Sequence, residues 1–327
     1  MSALWFTAPR KVELRDAAPA PLPEDGLRVH TEVSAISSGT ELLFYRGELE
    51  AGVSADASLS WGASPLRHPF QYGYASVGRV VEAGALAPKD LLGARVFGFH
   101  PHQEETVDLA SAFVRVPSGV SAEAASFLAN LETALSLVMD GGPLLGERAA
   151  VVGQGVVGQL TAALLAHTGV EVVHVIDPLE ERRACKLMPP GGRFTRAGQV
   201  TERESFDLVF ELSGRPEALD DALSLARYGG RVVVGSWYGN RRAQIDLGTR
   251  VHRSRLTLLF SQVSTIDPRH AARFDKARRL EVACQWLARL PLEALISHCV
   301  PFAEAPRAYE LLDSRAAGVL QVLLTHP

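Results

Sequence analysis

Through the first third of the chain, apolar and polar residues alternate in short runs. ALWFTA, LRVHTEVSAI, SVGRVVEAG, ARVFGFH and SAFVRVP read as strands separated by Gly, Pro and Asp. That spacing predicts a small, partly closed barrel. Near Ser121 the period changes. SAEAASFLANLETALSLVMDGG repeats its apolar positions as a helix does, with Ser121 as N-cap and Gly141-Gly142 as stop. Strand and helix then alternate: AAVVGQ with VGQLTAALLAHTG, VEVVHVID with PLEERRACKLM, FDLVFELSG with PEALDDALSLARYGG, then RVVVGSW and RLTLLFS. β-branched strands between amphipathic helices predict a parallel sheet covered on both faces. The tail returns to helix in ARFDKARRLEVACQWLARL, continues through ISHCVPFAEAPRAYELLDS, and closes on the strand GVLQVLL. The pattern predicts one domain from 1–130 and 272–327 around a second at 131–271.

Composition narrows the class. At 327 residues, the chain suits two domains. Hydrophobic content of 47% and charged content of 21% place it with soluble globular proteins. A net charge of −4 supplies no basic field, so no nucleic-acid partner is expected. The start, MSALWFTAPRK, lacks a signal-peptide layout, and no run of about 18 apolar residues exists, so no membrane association is expected. Cys185, Cys284 and Cys299 form no pair motif and read as reduced, mostly buried residues of a cytoplasmic protein.

The strongest chemical signal is VVGQGVVGQL. Gly153-x-Gly155-x-x-Gly158 follows a strand and opens a helix. Gly153 permits the tight turn, Gly155 lets the backbone approach a pyrophosphate, and Gly158 lets helix and strand pack closely. The pyrophosphate then sits on the N–H groups of Val156 and Val157 at the helix start. Asp177 ends the next strand, where its carboxylate accepts from ribose hydroxyls and repels a 2′-phosphate, which favours NAD(H) over NADP(H). Arg182 and Arg183, one turn further, can instead hold a phosphate or simply be a solvated face. Ser213 and Gly214, which close FDLVFELSG, join the cofactor set.

The barrel, the Rossmann unit and the returning tail together resemble the medium-chain dehydrogenase/reductase superfamily over essentially the whole chain. SVGRVVEAG, GARVFGF, FDLVFELSGRPEALDDALSLARYGGRVVVGSW and FAEAPRAYELLDS carry that resemblance. It implies an α/β fold: a GroES-like, partly open β-barrel catalytic domain plus a Rossmann doubly wound parallel sheet. Zinc alcohol dehydrogenases of the superfamily carry Cys, Gly-His-Glu and a further Cys or acid as ligands. Here the Cys falls on Ser38, Gly-His-Glu becomes Gly73-Tyr74-Ala75, and the third region reads Phe127 to Thr133 without cysteine. Glu41 and Glu132 alone make a poor zinc site, and the four-cysteine lobe is missing, so neither catalytic nor structural zinc is expected. ISSGTELLFYRG is similar to the same segment in bacteriochlorophyllide a dehydrogenases.

The resemblance assigns candidate roles. Thr40 matches a proton-relaying hydroxyl, Ser38 stands at a ligand position, and Phe99 lines the substrate pocket in relatives. Thr133 matches a residue on the nicotinamide side. Tyr74 replaces a ligand histidine and either donates to a carbonyl oxygen or packs as a core aromatic. His100, His102 and His68 are further candidate acids, against the alternative of surface histidines. Glu41 is expected to secure the turn, by pairing with an arginine or capping backbone. The resemblance leaves two reactions with a small-molecule substrate: reduction of a C=C bond conjugated to a carbonyl, as in an enoyl thioester or enone, which is favoured, and alcohol–ketone interconversion. A non-enzymatic cofactor-binding relative is a third reading. RRAQIDLGTRVHRSR holds the phosphates of a coenzyme A ester or is a solvated face. RLTLLFS is expected to pair across a two-fold axis in a homodimer.

Overall fold

The computed structural model describes the chain except Ala51, residues 55–64 and residues 185–186. Part of the loop after Gly47, and Cys185, therefore lie outside the described residues. Two compact units form: Met1–Ala129 with Cys284–Pro327, and Asn130–Ala283. The sequence pattern puts the second break at 271/272; it falls instead at 283/284.

The first unit opens with β1 (Ser2–Ala8), β2 (Lys11–Asp16), β3 (Gly26–Ile36), α1 (Thr40–Arg46), β4 (Phe70–Gln71), β5 (Ser76–Ala83), β6 (Arg95–Gly98), β7 (Glu105–Leu109), β8 (Phe113–Arg115) and α2 (Ala122–Ala125). The second holds most of α3 (Leu128–Gly141), then β9 (Arg148–Val152), α4 (Val156–Leu165), β10 (Val172–Asp177), β11 (Arg193–Arg196), β12 (Phe206–Glu211), α5 (Ala218–Leu225), β13 (Ala226–Val234), β14 (Thr257–Phe260) and most of α6 (Lys276–Leu287). The chain then returns as β15 (Ile296–Pro301), α7 (Ala305–Asp313) and β16 (Gln321–Thr325).

In the first unit β1 pairs with β2 and β4, and a larger sheet runs β15-β16-β3-β5-β6-β8, with β7 also on β3. The tail strand β16 pairs antiparallel with β3, Val322 opposite Ile36 and Thr325 opposite Val33. It thereby braces the backbone leading into Ser37. Helix α7 buries Ala305, Ala308, Tyr309 and Leu312, one helical stripe. Against it stands an aromatic cluster: Phe6 stacks on Phe70 at 5.2 Å and meets Tyr309 edge-on at 5.4 Å.

The second unit's sheet is parallel, ordered β11-β10-β9-β12-β13-β14. Counted within the unit this is 3-2-1-4-5-6, the doubly wound order, with its crevice outside the carboxyl ends of β9 and β12. The strands are apolar because both faces are covered; Val151, Val175, Val209, Phe210 and Val232 are all buried.

Four expectations are corrected. The helix read over 121–142 breaks into α2 and α3. Ser121 caps α2 by accepting from Ala124 N at 3.0 Å, but Ser126 Oγ donates to Glu123 O at 2.7 Å and Phe127 N turns to Ala124 O. That side-chain competition ends the first segment. Among its described residues PLEERRACKLM shows a 3-10 turn at Glu180–Ala184, and Pro189-Pro190 disfavours helix beyond. ARYGG, read as a helix end, begins β13 instead, pairing Ala226 with Phe206. Cys284 is half-buried and Cys299 exposed, rather than buried.

Candidate active site

Within the second unit, the glycine loop has the shape a dinucleotide needs. Gly153 has φ +97, and a Cβ there would sit 2.6 Å from Leu212 O. A Cβ on Gly158 would lie 1.9 Å from Gly153 O, so only glycine lets α4 cross this close. Around Gly155, which caps α4, nothing lies within 4 Å of an added Cβ. The loop is thus tight where helix meets strand and open at the helix start, where the N–H groups of Val156 and Val157 face outward from the first turn.

Asp177 ends β10, 7% exposed. Its Oδ2 accepts from Gln154 N at 2.7 Å and its Oδ1 from Leu179 N at 2.9 Å. The carboxylate therefore shapes the loop, and each oxygen keeps a lone pair for a ribose hydroxyl. Arg182 is half-buried. Arg183 is committed elsewhere, paired with Glu180 and lying over the Phe194 ring at 5.3 Å.

Beyond β12, Ser213 donates from N to Glu211 Oε1 at 2.9 Å and also from its hydroxyl. Gly214 N donates to Ser236 Oγ at 2.8 Å, and its carbonyl accepts from Arg241 Nη2 at 2.9 Å. Tyr238 Oη donates to Glu211 Oε2 at 2.6 Å. Sequence reasoning missed this group of Glu211, Ser236, Tyr238 and Arg241. Its one visible signal was an acid closing an otherwise apolar strand. Arg241, from the arginine-rich segment, serves this loop. Thr133 is half-buried in α3, beside Glu132, which Arg279 holds.

Within the first unit, the strand-to-helix turn gathers a second group. Tyr74 Oη donates to Ser37 Oγ at 2.6 Å, and Thr40 N donates to the same oxygen at 3.3 Å. Tyr74 is half-buried; burial pushes its phenol up to about 12, Glu41 adding to the rise while Ser37 and Thr40 oppose it. Ser37, not Ser38, is the serine of this group; Ser38 and Gly39 are exposed. Only the turn's geometry distinguishes the adjacent serines.

Glu41 is completely buried. Its partners are Ser37 N at 2.8 Å, His102 Nε2 at 3.0 Å and Tyr309 Oη at 2.5 Å, with no arginine among them. His102 is no exposed acid. Leu4 N donates to its carbonyl and its own N to Tyr72 O, which turns the ring inward between Glu41 and Ser34 Oγ. His100 is also buried, its Nε2 3.0 Å from Asp108 Oδ2 and its ring against Phe113. The pair is therefore not at the surface. His68 is exposed beside Phe70, and desolvation lowers its pKa. Phe99 is half-buried, edge-on to Phe97.

The donors do not fit zinc. Tyr74 is engaged with Ser37, Glu41 with three donors and Glu132 with Arg279, and among the described residues no three His, Cys, Asp or Glu side chains gather. The glycine loop and Asp177, by contrast, fit a dinucleotide.

A family model described as zinc-binding dehydrogenase matches residues 191–318. That span includes neither Ser38 nor Tyr74. D-guloside 3-dehydrogenase of Escherichia coli K12 is 26% identical over 94% of this chain and 95% of its own. 2-Desacetyl-2-hydroxyethyl bacteriochlorophyllide A dehydrogenase of Cereibacter sphaeroides is 25% identical over 94% and 93%. A solved structure described as a short chain alcohol dehydrogenase from E. coli CFT073, complexed with NADH, superposes with a TM-score of 0.79 over 99% of both chains at 18% identity.

Proposed function

This chain belongs to the medium-chain dehydrogenase/reductase superfamily and is an NAD(P)-dependent oxidoreductase, and from that premise we propose that it interconverts a hydroxyl and a carbonyl on a small molecule without a metal. The observation that carries the reading is the 2.6 Å contact from Tyr74 Oη to Ser37 Oγ. When bound, the nicotinamide supplies or accepts hydride at carbon. The protein's own task is the proton at oxygen. Ser37 Oγ already accepts from Tyr74 Oη and Thr40 N, so both its lone pairs are used and its proton is the one to give to a substrate oxygen. As it gives that proton, it takes the phenolic proton of Tyr74, which the raised pKa keeps in place at neutral pH. Oxidation of the alcohol runs the same relay backward. No step calls on zinc, because Tyr74, Glu41 and Glu132 are engaged elsewhere and Ser38 offers only a hydroxyl.

The C=C reduction favoured on sequence has weaker support. The relatives matched over nearly their full length are dehydrogenases of a guloside and of a hydroxyethyl-bearing pigment. A hydroxyl relay serves oxygen, whereas conjugate addition needs a proton at carbon. Asp177 supports NAD(H) over NADP(H) through its charge at the end of β10. Strand β14 forms the sheet edge and Phe260 stands 66% exposed on it, which supports a homodimer paired along this edge. A monomer by light scattering would refute the dimer.

The test is dinucleotide turnover on a sample of known metal content. Glycosides, polyols and their keto forms stand on one side, enones and short enoyl-CoA esters on the other. Turnover of the hydroxyl–carbonyl set at substoichiometric zinc supports the proposal. Turnover confined to the enone set, or stoichiometric zinc, overturns it.

A further inference from the structure

We propose that Glu41, gripped by His102 and Tyr309, is a positioning residue that sets the Ser37 hydroxyl against Tyr74. The inference rests on the relay reading above and deepens it.

The carboxylate joins three parts of the first unit. Oε1 accepts from Ser37 N at 2.8 Å; Oε2 accepts from His102 Nε2 at 3.0 Å and Tyr309 Oη at 2.5 Å. Glu41 N also donates to Ser37 O at 3.1 Å, so the Ser37 main chain is held through both its N–H and its carbonyl. With that backbone held, the Ser37 Oγ direction follows, and Tyr74 meets it at 2.6 Å.

A carboxylate only accepts, so His102 Nε2 donates to it. Ser34 Oγ lies 2.8 Å from His102 Nδ1 and 3.1 Å from His326 Nε2 and so links the two rings. His326 is neutral, since burial and His102 lower its pKa to about 3.

Capping alone does not account for a buried acid here. Burying a carboxylate costs several kcal/mol unless it is well paired, and an exposed Ser or Asp caps a helix without that cost. What the buried acid adds is the grip on Ser37 and a negative charge near Tyr74. The titratable groups facing Glu41 are His102 and Tyr309 directly and Tyr74 across Ser37, with His326 behind Ser34; Tyr45 and Tyr72 face Tyr309.

The experiment compares Glu41→Gln, Glu41→Asp and Tyr309→Phe in the full chain. It reads kcat, KM, the pH profile, and NADH binding by fluorescence as the check on folding. Glu41→Gln is expected to lower kcat by roughly 10- to 100-fold, leave KM and NADH affinity near wild type, and move the alkaline limb of kcat to lower pH. Glu41→Asp keeps the charge but not the reach, so it restores the alkaline limb and not the rate. Tyr309→Phe, which leaves the Ser37 bond, costs a few-fold in kcat; it decides the matter if the Glu41 variants fail to fold, because unchanged kcat there overturns the proposal. Unchanged kcat and pH profile in all three, with Tyr74→Phe and Ser37→Ala impaired, overturn the positioning role and leave the relay standing. Unimpaired Tyr74→Phe and Ser37→Ala sink the relay and this inference with it.

Discussion

Arg279 closes on Glu132 through two nitrogens, Nη2 at 2.9 Å and Nε at 3.2 Å from the same carboxylate oxygen, with the two residues 1% and 5% exposed. The guanidinium also donates to Ser136 Oγ and to Thr265 O, both at 3.1 Å. One arginine thus ties α6 to α3 and to the loop after β14. Arg279→Met leaves a buried carboxylate without its counter-charge. It is expected to lose about 3–5 kcal/mol in urea unfolding. Adding Glu132→Met should recover part of that loss, and strictly additive losses would show that the pair is not coupled.

Tyr74→Phe removes the phenolic proton and keeps the ring. Turnover is expected to fall by about a hundredfold with NADH affinity unchanged. Ser37→Ala should fall similarly, and the double variant little further, because both residues act on one proton. Full turnover by Tyr74→Phe would make the ring simple packing.

Gly155 and Gly158, on the first turn of α4, should respond differently to a methyl group. Gly158→Ala puts that methyl 1.9 Å from Gly153 O and is expected to disrupt the loop and lower Tm. Gly155→Ala meets open space, so Tm should hold while NADH affinity drops, the methyl occupying the approach a pyrophosphate needs. Equal effects of the two on Tm would refute this division of roles.

Asp177→Ser removes a charge that also orders Gln154 and Leu179. Hydrogen bonds to a charged group contribute about 1.5–3 kcal/mol, so NADH affinity should weaken by roughly tenfold or more. NADPH should be affected less, since the repulsion of its 2′-phosphate goes too. Titration of both dinucleotides measures the ratio, and an unchanged ratio would remove Asp177 from cofactor selection.

His326 links stability to pH. Its folded pKa, about 3, lies below the ordinary histidine value of 6.5. Between those values the unfolded chain binds the extra proton, so stability falls as pH drops from about 6.5 toward 3. His326→Gln should show a shallower fall over that window by thermal unfolding at stepped pH. An identical slope would mean that the ring is not the titrating group.

Much of this architecture is legible in the residues. Doubly buried strands write themselves as β-branched runs, which is why the amino-acid pattern alone reveals β9, β10, β12 and β13. The glycine loop is equally legible, since a missing Cβ is a property of sequence. The break in the helix over 121–142 is not legible, because Ser126 competes for a carbonyl through its side chain and periodicity does not register that.

The two-unit α/β plan and the dinucleotide loop with Asp177 could be read from the residues alone, because each depends on residue type and local spacing. Tertiary structure decided that Ser37 rather than Ser38 meets Tyr74, that His100 and His102 turn inward, and that Glu132 answers Arg279 while Glu41 answers His102 and Tyr309. Those pairings join residues far apart in the chain. Which buried donor meets which buried acceptor is set where β3, α1, α3, α6 and α7 come to rest within their own units, and local spacing holds no record of that.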